Sequence, residues 1–387
     1  MTYSSLFWES GKYGAATIMI VALLQRGYLK IPKFPLLYFI FLVPSCFLTL
    51  MENSIPEARG KLSSTMSGPF LLLISCWFFS YLKINVTQLK KLLIIITVTL
   101  VSVAVTTLFY TVTVEDIQFN TESNSATSGG FGPNQVSSML GLGVFVCLAC
   151  YLLFKNNFKD TIYLGLLCVL FAVQSVLTFS RGGIYNAIGG VLAIVIFQMR
   201  NLSQGVKRFL PIAGIGLIFV LLIFPYLDDF TGGKLQERFE DTGTSNRTVI
   251  MESDFQIFFQ NPVLGLGVGQ ANDARTEYLD RKASTHTEFT RLLSEHGMFG
   301  ILSLIALGLG TLYNFRRQKS AMGKAFVVGV VIWSALYMTN AAMRLAAPAF
   351  MWGLSSLTIL MPQRRKKNIK SNRFPIPEKR MSKNLFE

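Results

Sequence analysis

Long apolar runs separated by short polar connections recur from the start of the chain to about residue 361. A helix needs about 20 mostly apolar residues to cross the hydrocarbon core of a bilayer. On that measure the pattern predicts eleven spans, near 6–25, 35–51, 66–82, 92–113, 135–154, 161–179, 182–199, 208–226, 297–314, 324–340 and 344–361. Glu9 and Lys12 interrupt the first of them. The predicted fold class is an all-α, polytopic transmembrane bundle. Two polar stretches break the rhythm. One, 114–134, is rich in Ser, Asn, Thr and Gly; the other runs from Asp228 to Thr285, far longer than an ordinary connection, and is expected to carry function. The chain thus divides into N-terminal helices (1–130), a second helical group (131–226), a long loop (227–285), C-terminal helices (286–361) and a polar tail (362–387).

Basic residues orient the bundle, because cytoplasmic loops collect Lys and Arg. The connections 26–34, 83–91, 155–160, 200–207 and 315–323 are all basic, whereas Val114 to Pro133 has no Lys or Arg. The two kinds of connection alternate without a break. This predicts a cytoplasmic C-terminus, with the long loop on the opposite, periplasmic or extracellular face.

Composition supports a membrane protein. Hydrophobic residues are 51% of the 387 and charged residues 15%, against about 25% charged in soluble domains. Mean hydropathy is +0.45. Much of the +15 net charge lies in the tail, from Arg364 and Arg365 to Lys383. We read that tail as a juxtamembrane segment facing anionic lipid rather than as a nucleic-acid patch. Cys46, Cys76, Cys147, Cys150 and Cys168 all lie in apolar runs and read as small hydrophobes. The first apolar stretch lacks a small-residue cleavage site and further spans follow it, so it reads as a span rather than a signal peptide.

Candidate chemistry clusters near the non-cytoplasmic face. Arg181, in Thr178-Phe-Ser-Arg-Gly-Gly183, lies between two apolar runs on the side that disfavours basic residues. At the bilayer centre an arginine costs ~2.5–3.5 kcal/mol on insertion scales, and less toward the edge. It is either a boundary arginine reaching for the interface or an anion-binding arginine facing a cavity. Arg247 follows Ser245 and Asn246, which offer caps for a helix running to the Asn261-Pro262 stop. A cation in a first helical turn opposes the macrodipole and becomes sensible where an anion also binds; a solvated surface arginine is the alternative. The alternating glycines of 261–269 resemble a dinucleotide loop, but with the wrong spacing. They predict a tight turn that packs its backbone close to another element. In the stretch 284–297, Thr285 and Glu288 have capping-box spacing. This places His286 at the first helical position, where a helix N-terminus favours the neutral, proton-accepting imidazole suited to a general base; a surface histidine beside a cap is the alternative. His296, against Gly297, reads as structural. With two histidines and no close carboxylate cluster, a zinc site is not expected, and no P-loop is present.

Taken in order, Gly132-Pro-Asn134 opening a span, Thr178 to Gly183 between spans, Asn246-Arg247, a helix, residues 261–269, His286 and Leu292 to Gly297 resemble the O-antigen ligase and polymerase superfamily of bacterial membrane glycan transferases. The resemblance covers roughly 130–315. It implies a metal-independent, inverting glycosyltransferase of the inner membrane that needs no cofactor. The donor would be a glycan on undecaprenyl diphosphate, and the acceptor a hydroxyl of a glycan or of lipopolysaccharide core. Carried onto this chain, His286 would activate the acceptor, while Arg181 and Arg247 would hold the leaving diphosphate. Arg275, Arg291 and Arg344 are weaker candidates. The ligases usually have twelve spans, one more than are read here. A polymerase is favoured over a ligase because polymerases vary widely in length and sequence. A transporter or flippase of a lipid-linked anion is the reading from another class.

Overall fold

A computed structural model describes residues 3–113, 117, 119–198, 202–241, 247–279, 285, 287–343 and 345–361. Within them the chain forms α1 (Tyr3–Gln25), α2 (Lys33–Ile40), α3 (Val43–Glu52), α4 (Ile55–Ser80), β1 (Lys83–Asn85), α5 (Val86–Thr113), α6 (Pro133–Leu153), α7 (Phe158–Leu177), α8 (Gly182–Gln198) and α9 (Leu202–Ile218). After a π-turn at Phe219–Ile223 come α10 (Phe224–Phe230), α11 (Lys234–Glu240), α12 (Arg247–Gln260), α13 (Ala271–Ala274), α14 (Thr276–Leu279), α15 (Glu288–Arg317), α16 (Ala321–Asn340), α17 (Ala346–Leu354) and β2 (Thr358–Leu360). The expected all-α polytopic fold is therefore what the protein adopts, with one two-stranded pair added.

Eight helical segments among the described residues are long and apolar enough to cross a membrane: 33–52, 55–80, 86–113, 133–153, 158–177, 209–230, 288–317 and 321–340. Helix α8, at 17 residues, is shorter, and α1 carries the buried Lys12, whose ammonium donates to Ser67 Oγ at 2.5 Å. Helix α6 lies at the centre, with 78% of its apolar window buried; the 209–230 segment is at the periphery, with 6%.

Two expected spans differ in form. The run 35–51 is split into α2 and α3, because Pro44 lacks the N–H that would continue the helix past Phe41 and Leu42. The run 344–361 is not one helix. Helix α17 stops at Leu354, and the chain continues through Ser355 and Ser356 into β2, which pairs in parallel with β1 (Ile84 opposite Ile359). Side chains at the end of α15 take over the backbone there: Arg317 donates to the Ser356 carbonyl and Gln318 to that of Leu357. Asn314 reaches the hydroxyls of Ser355 and Ser356. β-Branched Thr358 and Ile359 then suit the strand pair better than a helix.

The alternation of connections is realised as two ends of the bundle. At one end Tyr28 stacks on Tyr81 at 4.4 Å, and Tyr81 Oη donates to the Lys30 carbonyl. Lys90 pairs with Asp160 at 2.6 Å, and Gln198 reaches the Leu152 carbonyl. This is the end that gathers the basic connections. At the other end lie 49–61, 124–134, 178–183, the long loop and 340–343, tied together by Thr49 to Val268, Thr127 to Leu177, Ser180 to Asn134 and Met343 to Glu288.

Close helix packing positions that second end. Transmembrane helices associate through small residues that let backbones approach. Gly183 at the start of α8 has no room for a side chain, because a methyl group there would overlap the Ser137 carbonyl, and Gly141 faces Gly183 in the same way. We expect Gly183→Ala to cost ~1–3 kcal/mol through overpacking, and to lower the thermal midpoint of the detergent-solubilised protein. Gly165→Ala, which meets nothing within 4 Å, should leave that midpoint unchanged or raise it.

Candidate functional site

The segment between α7 and α8 is built around a strained residue. Phe179 has φ +57°, a left-handed conformation unusual for a bulky side chain. Such strain persists where the surroundings over-determine it, and it concentrates at functional sites. The phenyl ring is buried and stacks on Phe119 at 5.6 Å. Next to it Ser180 is fixed from both sides. Its hydroxyl donates to Asn134 Oδ1 at 2.8 Å, and its carbonyl accepts from Ser137 Oγ at 2.7 Å. The Pro-Asn motif opening α6 and the Ser-Arg-Gly-Gly motif opening α8 are thus one structural unit. It turns the half-buried Arg181 toward the long loop, where Nη1 donates to the Asp241 carbonyl at 2.6 Å.

Two further arginines converge on this point. Arg247 is the first residue of α12, and its Nη1 donates to Asn340 Oδ1 at 3.4 Å; Asn340 in turn donates to the buried Asn186 at 3.0 Å. Arg238, on α11, donates from Nε to the carbonyl of the strained Phe179 at 3.2 Å and lies 3.6 Å from an Asp241 carboxylate oxygen. Sequence reasoning singled out Arg181 and Arg247 and missed Arg238. No motif marks Arg238, and only its amphipathic placement between buried Leu235 and half-buried Phe239 hints at a side chain laid along the bundle.

Among the described residues, one carboxylate, that of Asp241, is ion-paired with the three cations. Burial first, and then the charges of Arg238 and Arg181, hold the Arg247 guanidinium below the usual arginine range. Arg238 is pushed down by burial and by Arg181, with Asp241 and Glu122 offsetting part of the effect. An arginine does not give up its proton in a protein. Most of the downward pressure comes from burial, and the smaller part from neighbouring guanidinium charges is what a bound anion would relieve. Planar guanidinium forks suit phosphate oxygens.

Arg275 and Arg291 are placed differently. Arg275 is fully buried and forms a two-pronged ion pair with Asp254, while also donating to Asn272 at 2.9 Å and to Thr285. Asp254 also accepts from Thr290 at 2.7 Å. Arg291 forks onto Glu288 and reaches Glu295 at 2.7 Å, and Glu288 accepts the Met343 amide at 3.0 Å. Both arginines are neutralised by carboxylates, and together they clamp α12, α13, α15 and the start of α17's approach. Neither belongs to the 181–238–247 group. Arg344 and His286 lie outside the described residues, as do the expected caps Ser245 and Asn246. Helix α12 nonetheless begins at Arg247 and ends before Asn261-Pro262 as expected.

The predicted capping box does not form. Helix α15 begins at Glu288 with Thr287 as its cap, whose Oγ1 accepts from the Thr290 amide at 3.1 Å. Glu288 does not fold back, because a bidentate arginine is a stronger partner than a returning amide bond. The first helical residue is thus Glu288, with Thr287 as cap, rather than the residue after Thr285. The neighbours of His286 are both held: Thr285 by Arg275, Thr287 as the cap.

The glycine-rich turn 261–269 packs as its spacing suggested. Helix α15 is bent at Gly297 (φ +58°), and the turn's backbone fills the gap. Leu266 N donates to Ser294 O at 3.0 Å, Gly267 N to Glu295 O at 3.1 Å, and Met298 N to Pro262 O at 2.8 Å. A side chain at Gly265 would overlap the Glu295 backbone. His296 is buried at this bend, in keeping with a structural part. Among the described residues no three His, Cys, Asp or Glu side chains gather as a metal site.

The chain is thus a multi-pass helical membrane protein with a cationic cluster at one end of the bundle. The O-antigen ligase family model matches residues 166–305, from within α7 into α15, and this similarity supports the resemblance to the O-antigen ligase and polymerase superfamily. The matched segment contains Arg181, Arg238, Arg247 and the buried ion pairs. No curated protein matches the chain.

Because removing one member of a buried pair strands the other, Arg275→Ala should cost ~3–5 kcal/mol. The thermal midpoint in detergent should fall, and the 247–290 segment should become sensitive to protease. The paired change Arg275→Met with Asp254→Leu should recover much of that loss, whereas Arg181→Ala, on a half-exposed side chain, should melt within ~0.5 kcal/mol of wild type.

Proposed function

We propose that the protein is a metal-independent, inverting glycosyltransferase that moves a glycan from undecaprenyl diphosphate to a sugar hydroxyl. It would work at the outer face of the bacterial inner membrane in O-antigen, capsule or exopolysaccharide assembly. The observation that carries this reading is the group Arg181, Arg238 and Arg247, drawn together from three elements, with one ion-paired carboxylate, Asp241, among the described residues.

In this reading the arginines bind the donor diphosphate. The acceptor oxygen attacks the anomeric carbon from the face opposite the diphosphate, so that the new glycosidic bond forms as the bond to the phosphate oxygen breaks. The electron pair goes to the diphosphate, where fixed cations stabilise the developing charge. The acceptor's proton goes to His286. Arg275 and Arg291 act through position, by holding Thr285 and Glu288 on either side of that histidine. The activated bond arrives with the donor lipid, so neither a nucleotide nor a metal is required.

We favour the polymerase, which would pass the growing chain to another lipid-linked repeat. The second reading is a ligase delivering the finished chain to lipopolysaccharide core or another acceptor, and the description of the matching family favours it. The test is complementation of a gene deletion in its own host with wild type, His286→Ala, Arg181→Ala, Arg238→Ala and Arg247→Ala at matched membrane levels. Each variant should lower glycan transfer by about 10²–10³-fold, the scale of losing one preorganised charge-stabilising group. Single repeat units left on the surface glycan mean a polymerase; long chains stranded on the carrier lipid mean a ligase. Wild-type glycan from His286→Ala and from all three arginine variants would overturn the mechanism and leave transport of a lipid-linked anion as the reading to pursue.

A further inference from the structure

Helix α12 lies across the end of the bundle rather than standing out from it, because both its ends are tied to spanning helices. Its first residue, Arg247, donates to Asn340, the last residue of α16. The turn after its last residue is bonded to the bend of α15, where the Pro262 carbonyl accepts the Met298 amide at 2.8 Å. Its 14 residues make a rod of about 21 Å, pinned at both ends to the loop side of these two spans.

Helix positions four apart share a face, and α12 sorts its side chains onto three. Ile250, Ser253, Asp254 and Ile257 are buried, with Asp254 holding Arg275 and Thr290. Thr248, Glu252, Gln256 and Gln260 are exposed on the far side, with Val249 among them. Between these faces, on one flank, runs an apolar row: Met251, Phe255 and Phe259 are exposed at 37%, 40% and 73%. Four residues beyond Phe259, Val263 is exposed in its turn, and its backbone abuts Gly297 at the bend. From there α15 continues the row with Met298, Ile301, Ile305 and Leu309, exposed side chains of a spanning helix and so part of its lipid-facing side. Apolar residues exposed singly call for no explanation. A contiguous apolar strip that runs on from a lipid-covered face marks a membrane contact.

We propose that α12 is an in-plane interfacial helix, with Met251, Phe255 and Phe259 seated in the lipid leaflet at the loop end of the bundle as an extension of the lipid face of α15. A helix of this kind rests at the headgroup boundary, its apolar side among the acyl chains and its polar side in water. Many such helices also use Lys and Arg to reach anionic headgroups. The polar side of α12 carries Glu252 instead, so apolar burial rather than charge supplies the attraction. The lipid contact sets the depth of the helix. Arg247 opens α12 one turn before Met251, and its guanidinium is thereby held near headgroup level, whatever anion it meets. The contact does not depend on the glycosyltransferase reading given above.

The test places a nitroxide on an added cysteine, in turn Met251→Cys, Phe255→Cys, Phe259→Cys, Glu252→Cys and Gln256→Cys, in the full-length protein in vesicles of phosphatidylethanolamine and phosphatidylglycerol. Wild type labelled in parallel supplies the background of Cys46 and of the buried cysteines. Labels at 251, 255 and 259 should be relaxed by oxygen and shielded from a water-soluble nickel chelate, while those at 252 and 256 should meet the chelate. Phe255→Asp with Phe259→Asp should lift the helix from the lipid, so that a label at 251 loses its shielding. Chelate access at all of these positions makes α12 a water-exposed loop helix and overturns the inference. Exclusion of both reagents from 251, 255 and 259 means that protein, such as a second copy of this chain, covers the row, and overturns it too. So does a label at 251 that stays shielded in the double aspartate variant. Independently of cysteine chemistry, Phe259→Trp should add fluorescence that phospholipid brominated in its acyl chains quenches; added fluorescence that resists this quenching counts against the lipid contact.

Discussion

Inside the hydrocarbon layer a backbone amide has no water to fall back on, so every interruption of a helix needs a partner supplied by the protein. The departures from straight helices in this bundle follow that constraint. The bend at Gly297 is filled by the backbone of 264–267, with Met298 bonded to Pro262. The Thr178–Gly183 segment is held by Ser137 and Asn134. The end of α17 is answered by Arg317 and Gln318, and its strand by β1. The first two interruptions lie at the end that carries the long loop. There they convert helix ends into a rigid frame from which cationic side chains can be aimed.

The same end uses arginine in two physical ways. Arg275 and Arg291 are buried among carboxylates, and their partners leave them no charge to offer a ligand. What they contribute is geometry, since they fix where α12 and the start of α15 stand relative to the bundle. Arg181, Arg238 and Arg247 are only partly buried, and their neighbours are mainly carbonyls, an amide and one another. Carbonyl dipoles orient a guanidinium without neutralising it. The difference between a strut and a binding group therefore lies in the partner, not in the residue type, and is invisible in a list of arginines.

Several parts of this architecture follow from local sequence alone. Apolar run lengths locate the membrane helices, because crossing the hydrocarbon layer sets a minimum length. Alternating basic and non-basic connections sort the loops to two ends, and side-chain contacts such as Lys90 to Asp160 and Thr49 to Val268 join connections of the same end. The glycines of 261–269 announce a close backbone approach, since only glycine adopts those positive φ values without strain. Where reading failed, a longer-range partner won. Glu288 lies three residues from Thr285, the spacing of a capping box, but Arg291 and the Met343 amide claim its carboxylate. The run 344–361 is apolar enough for a helix, but α15 and β1 offer its second half other hydrogen bonds.

The sequence by itself determined the class of protein and the placement of most of its membrane helices. Those properties depend on composition and on spacing within some twenty residues. Only the tertiary structure decided which arginines stand together and which are paired away, and that Arg238 joins Arg181 and Arg247. The grouping depends on contacts between residues some 60 to 90 positions apart, such as Arg181 with Asp241 and Arg247 with Asn340, whereas Arg291 finds its carboxylates within about one helical turn. The partners of Arg181 and Arg247 are fixed by where the packed helices carry them, and no local pattern encodes that.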